Sequence, residues 1–142
     1  MHHKRSATLL AAAVMLVGGA LATAAPASAA PAPPDGSRWD HTFTSVDSNH
    51  GATMYVEEHG DVIELCDSAS DGYAARAIVS GNPSLSGTLT YTMTSSGAGV
   101  CTVHTASQGG AYDLPEVWTI YVKLWVGTKY LGEKQYSFLN DL

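Results

Sequence analysis

Gly60-Asp61-Val62-Ile63-Glu64-Leu65-Cys66-Asp67-Ser68-Ala69-Ser70-Asp71-Gly72-Tyr73-Ala74-Ala75-Arg76-Ala77-Ile78-Val79 holds two strand-like runs joined by a tight Asp/Ser/Gly turn. The first run ends in one of only two cysteines in the chain. Side chains alternate along a strand, so if Ile63 and Leu65 face a core, Cys66 points to the other face. A bond made by Cys66 then clamps a sheet from outside or at a strand end.

Outward from this stretch the chain is a series of short apolar or β-branched runs bounded by Gly, Asn, Asp and Ser. They read as Arg38 to Asp47, Ala52 to Glu58, Asp61 to Asp67, Tyr73 to Ser80, Thr88 to Thr94, Gly99 to Thr105, Glu116 to Val126 and Lys129 to Leu139. No stretch keeps a helical period. His59-Gly60 and Gly127-Thr128 are short enough to close hairpins, and glycine tolerates the positive φ such turns need. Asn82-Pro83-Ser84 breaks the pattern because proline donates no ladder hydrogen bond. Seven to eight short antiparallel strands over residues 38–142 predict an all-β domain, a β-sandwich or small barrel, with an immunoglobulin-like sandwich as the first expectation.

The chain opens with His2, His3, Lys4 and Arg5, continues through an apolar run from Leu9 to Leu21, and reaches small residues at Ala27-Ser28-Ala29. That is the pattern of a secretory signal peptide over residues 1–30, cut near Ala29 or Ala30. The apolar run is short and followed by no stop-transfer charges, so a membrane anchor is not expected. Pro31-Ala32-Pro33-Pro34-Asp35-Gly36-Ser37 reads as a flexible proline-rich leader over 31–37. Of the 7 basic residues, Lys4 and Arg5 fall before the cut, leaving Arg38, Arg76, Lys123, Lys129 and Lys134 against all 13 acids. An acidic exported chain without a basic patch argues against nucleic acid or an anionic membrane as partner. A monomer is expected.

An even cysteine count in an oxidising compartment implies a Cys66–Cys101 disulfide, a free thiol or metal pair being the alternatives. Closing a loop of roughly 35 residues stabilises the fold by about 3.5–4 kcal/mol on the chain-entropy model. Asp67 and Asp71 superficially resemble calcium ligands, but Ala69 stands where a ligand belongs and no bidentate acid follows. A structural turn in which both carboxylates accept backbone N–H bonds is preferred, with no metal and no cofactor.

The candidate catalytic group is His59 with Glu57, Glu58 and Asp61, while His41, His50 and His104 are scattered elsewhere. No nucleophile elbow, zinc-protease helix motif or phosphate loop accompanies them. For binding, the alternation Trp118, Ile120, Val122, Leu124, Val126 predicts a core stripe. Tyr121, Lys123 and Trp125 then face outward, with Tyr130 beside them, as a candidate contact face.

The run Gly-Asp-x-x-x-Leu-Cys-Asp-x-x-x-Asp-Gly-Tyr-x-Ala-x-Ala, followed by Gly97-Ala98-Gly99-Val100-Cys101, resembles a large set of small, uncharacterised secreted proteins of streptomycetes and related actinobacteria. The resemblance covers roughly residues 55 to 105 and implies an exported β-domain from a Gram-positive source. Many members carry further cysteines in their C-terminal half, where Leu114 to Leu142 has none. The preferred reading is a secreted, non-enzymatic binding module for an extracellular ligand. A hydrolase or lyase using His59, and a protease inhibitor, are the alternatives.

Overall fold

The computed structural model describes residues 30–34, 36 and 38–141. Apart from Ala30, the signal-peptide reading of residues 1–30 falls outside them. All eight expected runs are strands: β1 His41–Thr44, β2 Ala52–Glu57, β3 Val62–Asp67, β4 Ala75–Ser80, β5 Thr90–Ser95, β6 Cys101–His104, β7 Trp118–Val126 and β8 Leu131–Asn140. Two short 3-10 turns, Ala106–Gln108 and Gly110–Tyr112, lie between β6 and β7.

The strands form two antiparallel sheets of four, ordered β1-β2-β3-β6 and β5-β4-β7-β8. This is a β-sandwich in which β2-β3-β6 and β5-β4-β7-β8 follow the immunoglobulin-like pairings A-B-E and C′-C-F-G, with β1 as an additional edge strand on the first sheet. Here the Glu58–Asp61 turn keeps β3 beside β2: Asp61 N donates to Glu58 O at 3.1 Å, with Gly60 at φ 86° and Asp61 at φ 52°.

Alternation places Met54 and Val56 of β2, Ile63 and Leu65 of β3, and Ile120, Val122 and Leu124 of β7 in one buried layer. Removing each such side chain from water contributes about 1.5–3 kcal/mol of gross transfer free energy. Cys66 and Cys101 sit directly opposite each other on β3 and β6 and are disulfide-bonded. The bond therefore links two strands of one sheet, on the face opposite Leu65, as the alternation requires.

The structure corrects two expectations about β7. Trp118 was assigned to the core stripe but is half-exposed: the last β4 residue paired to β7 is Ser80, opposite Tyr121, so no strand runs beside Trp118 on that side. Its ring lies against the Gly81–Leu89 loop instead. Trp125, assigned to the exposed face, is buried, with its ring centroid 5.0 Å from that of Tyr130. The register between β7 and β8 shifts between Leu124 and Val126, so β8 carries an extra residue at Gly132–Glu133. Such a bulge bends a strand and strengthens its twist. In the stretch read as a flexible proline-rich leader, the Pro31 carbonyl accepts a 2.9 Å hydrogen bond from Trp39 Nε1.

Candidate binding groove

On the outer face of the first sheet, β2 presents Thr53 and Tyr55 because their neighbours Met54 and Val56 fill the core, and β3 and β6 present the disulfide. Loops rise around this floor. Asn49 and His50 come from the β1–β2 turn, Ser68 follows β3, Gly99 belongs to the β5–β6 turn, and Pro31 adds to the lining. They enclose a groove of about 380 Å³, within the range of small-ligand sites. Trp39 packs on Tyr55 with centroids 5.5 Å apart. Glu64, opposite Tyr55 across the β2–β3 pair, is half-buried, and burial holds its carboxyl above the ordinary range. Burial, and then the Glu64 charge, push the Tyr55 hydroxyl up as well, so Tyr55 remains a neutral donor.

The walls are held by two aspartates. Asp47 accepts hydrogen bonds from Asn49 N at 3.1 Å, from Gly51 N at 3.1 Å and from the Ser45 hydroxyl. His50 Nδ1 meets the Ser45 carbonyl at 2.8 Å. A carbonyl only accepts, so Nδ1 carries the proton and Nε2 is the ring's remaining polar atom. Burial tends to raise the Asp47 pKa, but the bonds from Ser45, Gly51 and Asn49 outweigh it and the net shift is downward. A carboxyl lowered in the folded state lends stability that is present above its unfolded pKa of ~3.9 and lost as pH falls through the folded value. Urea midpoints measured from pH ~5 down to ~2 should therefore fall less steeply in Asp47→Asn than in the parent. Equal slopes would remove Asp47 from the account.

Asp67 ties the other wall. Its side chain is buried and accepts from Ala69 N at 3.3 Å and Gly97 N at 2.8 Å, while its backbone bonds Val100 O and Gly99 N. Asp71 accepts from Tyr73 N at 2.9 Å and Asn49 Nδ2 at 3.4 Å. Both carboxylates thus have N–H donors as partners, the arrangement of a structural turn. The melting temperature should not move on adding a chelator, and a drop of several degrees restored by calcium would contradict this turn. The one acid and thiol cluster with ligand atoms within 4.8 Å among the described residues is Glu64, Cys66 and Cys101, whose sulfurs are consumed by the disulfide.

The catalytic candidates separate. His59 is exposed at the β2–β3 turn, whereas Glu57, Glu58 and Asp61 are buried. Glu58 pairs with His41, not His59, at 2.6 Å, and the His41 ring stacks on Phe43 and lies tilted against Phe138. Burial pushes the Asp61 carboxyl up, opposed by Leu114 N at 2.8 Å and Asn140 Nδ2 at 3.0 Å. Asp61 therefore fastens the β6–β7 connection and the end of β8 to the hairpin. Among the described residues the histidine hydrogen bonds run to Glu58, the Ser45 carbonyl and Gln108.

The candidate face on the second sheet is also altered. Lys123 Nζ is 3.1 Å from Glu133, Tyr121 is half-buried, Trp125 is buried, and Tyr130 is the exposed ring. Trp125→Ala should cost about 3 kcal/mol, as for a large core ring. Tyr130→Ala should cost less than that, because its ring is one wall over the indole. Equal small losses of under ~0.5 kcal/mol in both would mean Trp125 is a surface residue after all.

No family model, similar curated protein or solved structure matches the chain.

Proposed function

We propose that this protein is a secreted, non-enzymatic binding module that holds an extracellular ligand in the groove beside the disulfide. The observation that carries the reading is the groove: about 380 Å³, walled by loops that Asp47 and Asp67 fasten. A pre-formed concavity with a few placed polar groups and aromatic surface is how proteins hold small ligands or short segments of polymers. Export is supported by the N-terminal sequence pattern and by the disulfide, which persists in oxidising compartments. Among the described residues no helix is long and apolar enough to cross a membrane. The acidic balance of 13 acids to 7 bases favours a neutral or weakly basic ligand over a polyanion.

The test is a titration of ¹⁵N-labelled protein, purified from culture medium, with a panel of neutral oligosaccharides and short peptides. Saturable shifts at the amides of Thr53, Ser68 and Gly99, with the ligand recovered unchanged, are expected. Conversion of a panel member, or shifts centred on Tyr121 and Tyr130, would overturn the reading.

A further inference from the structure

We infer that the groove recognises a proline-rich segment in the polyproline II conformation, and that the protein's own leader reaches that site through Pro31. This rests on the groove being a binding site and adds the chemical class of its ligand.

Proline fixes φ near −65° and pushes the residue before it towards extended or polyproline II geometry. In Ala30-Pro31-Ala32-Pro33-Pro34 every residue is a proline or precedes one. The stretch is thus held extended by covalent chemistry until Gly36 N turns it back onto the Pro33 carbonyl at 3.0 Å. A polyproline II chain makes no internal hydrogen bonds, and its prolines offer only carbonyl acceptors and ring faces. Its receptor must supply aromatic surfaces and outward-pointing donors.

The groove supplies both. Trp39 and Tyr55 pack together beside it, and the Trp39 indole N–H donates to the Pro31 carbonyl at 2.9 Å. Tyr55 lines the groove and stays protonated. Thr53 Oγ1 accepts from Ser68 Oγ at 2.7 Å, which leaves the threonine's own hydrogen free to donate. Pro31 lines the groove together with Asn49 and His50, and the space among them is open. At ~3.1 Å per residue, a proline-rich segment of three or four residues spans such a site. Because the leader is tethered, it competes with any added segment at a high effective concentration. The leader is therefore a built-in competitor that a longer or better-matched segment displaces.

The experiment titrates the peptide Ala-Pro-Ala-Pro-Pro-Asp, the sequence of residues 30–35, into ¹⁵N-labelled protein and follows the Trp39 indole N–H with the Thr53, Ser68 and Gly99 amides. The expected result is saturable shifts at these positions, with affinity raised severalfold in Pro31→Gly/Pro33→Gly, whose leader competes less well. Trp39→Phe added to that leader variant, which keeps an aromatic ring beside Tyr55 but loses the donor, should bind at least tenfold more weakly than the leader variant alone. A control peptide with glycine for every proline should not saturate. The proposal falls if the leader variant shows no saturation at millimolar peptide, if the glycine peptide binds equally well, or if adding Trp39→Phe to the leader variant leaves binding unchanged. It also falls if a neutral oligosaccharide alone saturates the groove, although that outcome leaves the binding-module reading standing.

Discussion

Gly132→Ala should be among the most damaging single substitutions in the protein, lowering stability by about 3 kcal/mol or more. Gly132 sits at the β8 bulge with φ 62°, a region that disfavours any β-carbon. An added Cβ would lie 2.2 Å from Asp47 N and 2.8 Å from Asp47 Cα, which are backbone atoms that no rotamer change can move aside. The Gly132 carbonyl also accepts Val46 N at 2.9 Å. Relieving the clash would pull β8 from the β1–β2 turn and disturb the Asp47 network holding Asn49 and His50 at the groove. Chemical denaturation should show the loss, with amide shifts spreading from Val46 to Gly51. A change under ~0.5 kcal/mol, the ordinary surface effect, would mean that β8 and this turn are not in contact.

Removing the disulfide as Cys66→Ala/Cys101→Ala should lower stability by about 3.5–4 kcal/mol, the two cysteines being 35 positions apart. β6 has only four residues and lies at the edge of its sheet, with β3 as its one partner there. The covalent link therefore replaces what a second neighbouring strand would provide. Reduction of the parent protein should give a comparable drop in the urea midpoint. A loss below ~1 kcal/mol would show that β6 is held mainly by other contacts, such as the ring stacking of His104 on Tyr112 at 4.1 Å.

The strands were legible because their causes are local: alternation within each run, and Gly, Asn or Asp where the chain turns. The outward placement of Cys66 followed from the same parity. Trp125 escaped that logic, since parity gives the face of the sheet but not what lies over it, and Tyr130 covers the indole from beyond a tight turn. Glu58 sits beside His59 in sequence yet bonds His41, 17 positions away, and Asp61 bonds an amide 53 positions on. Such pairings depend on which strands neighbour each other. The groove was invisible for the same reason, since its walls come from three separate loops and the leader. Parity did contain part of it: Thr53 and Tyr55 alternate with Met54 and Val56, and, set beside Glu64 and Cys66, would have marked a second outward face as rich in chemistry as Tyr121, Lys123 and Trp125.

The most direct test of a binding site beside the disulfide is to measure, side by side, the affinity of Tyr55→Ala and Tyr130→Ala for whichever panel ligand saturates the parent protein. A loss of tenfold or more in Tyr55→Ala with affinity kept in Tyr130→Ala is the predicted result. Full affinity in Tyr55→Ala together with its loss in Tyr130→Ala would move the site to the opposite sheet and contradict the account.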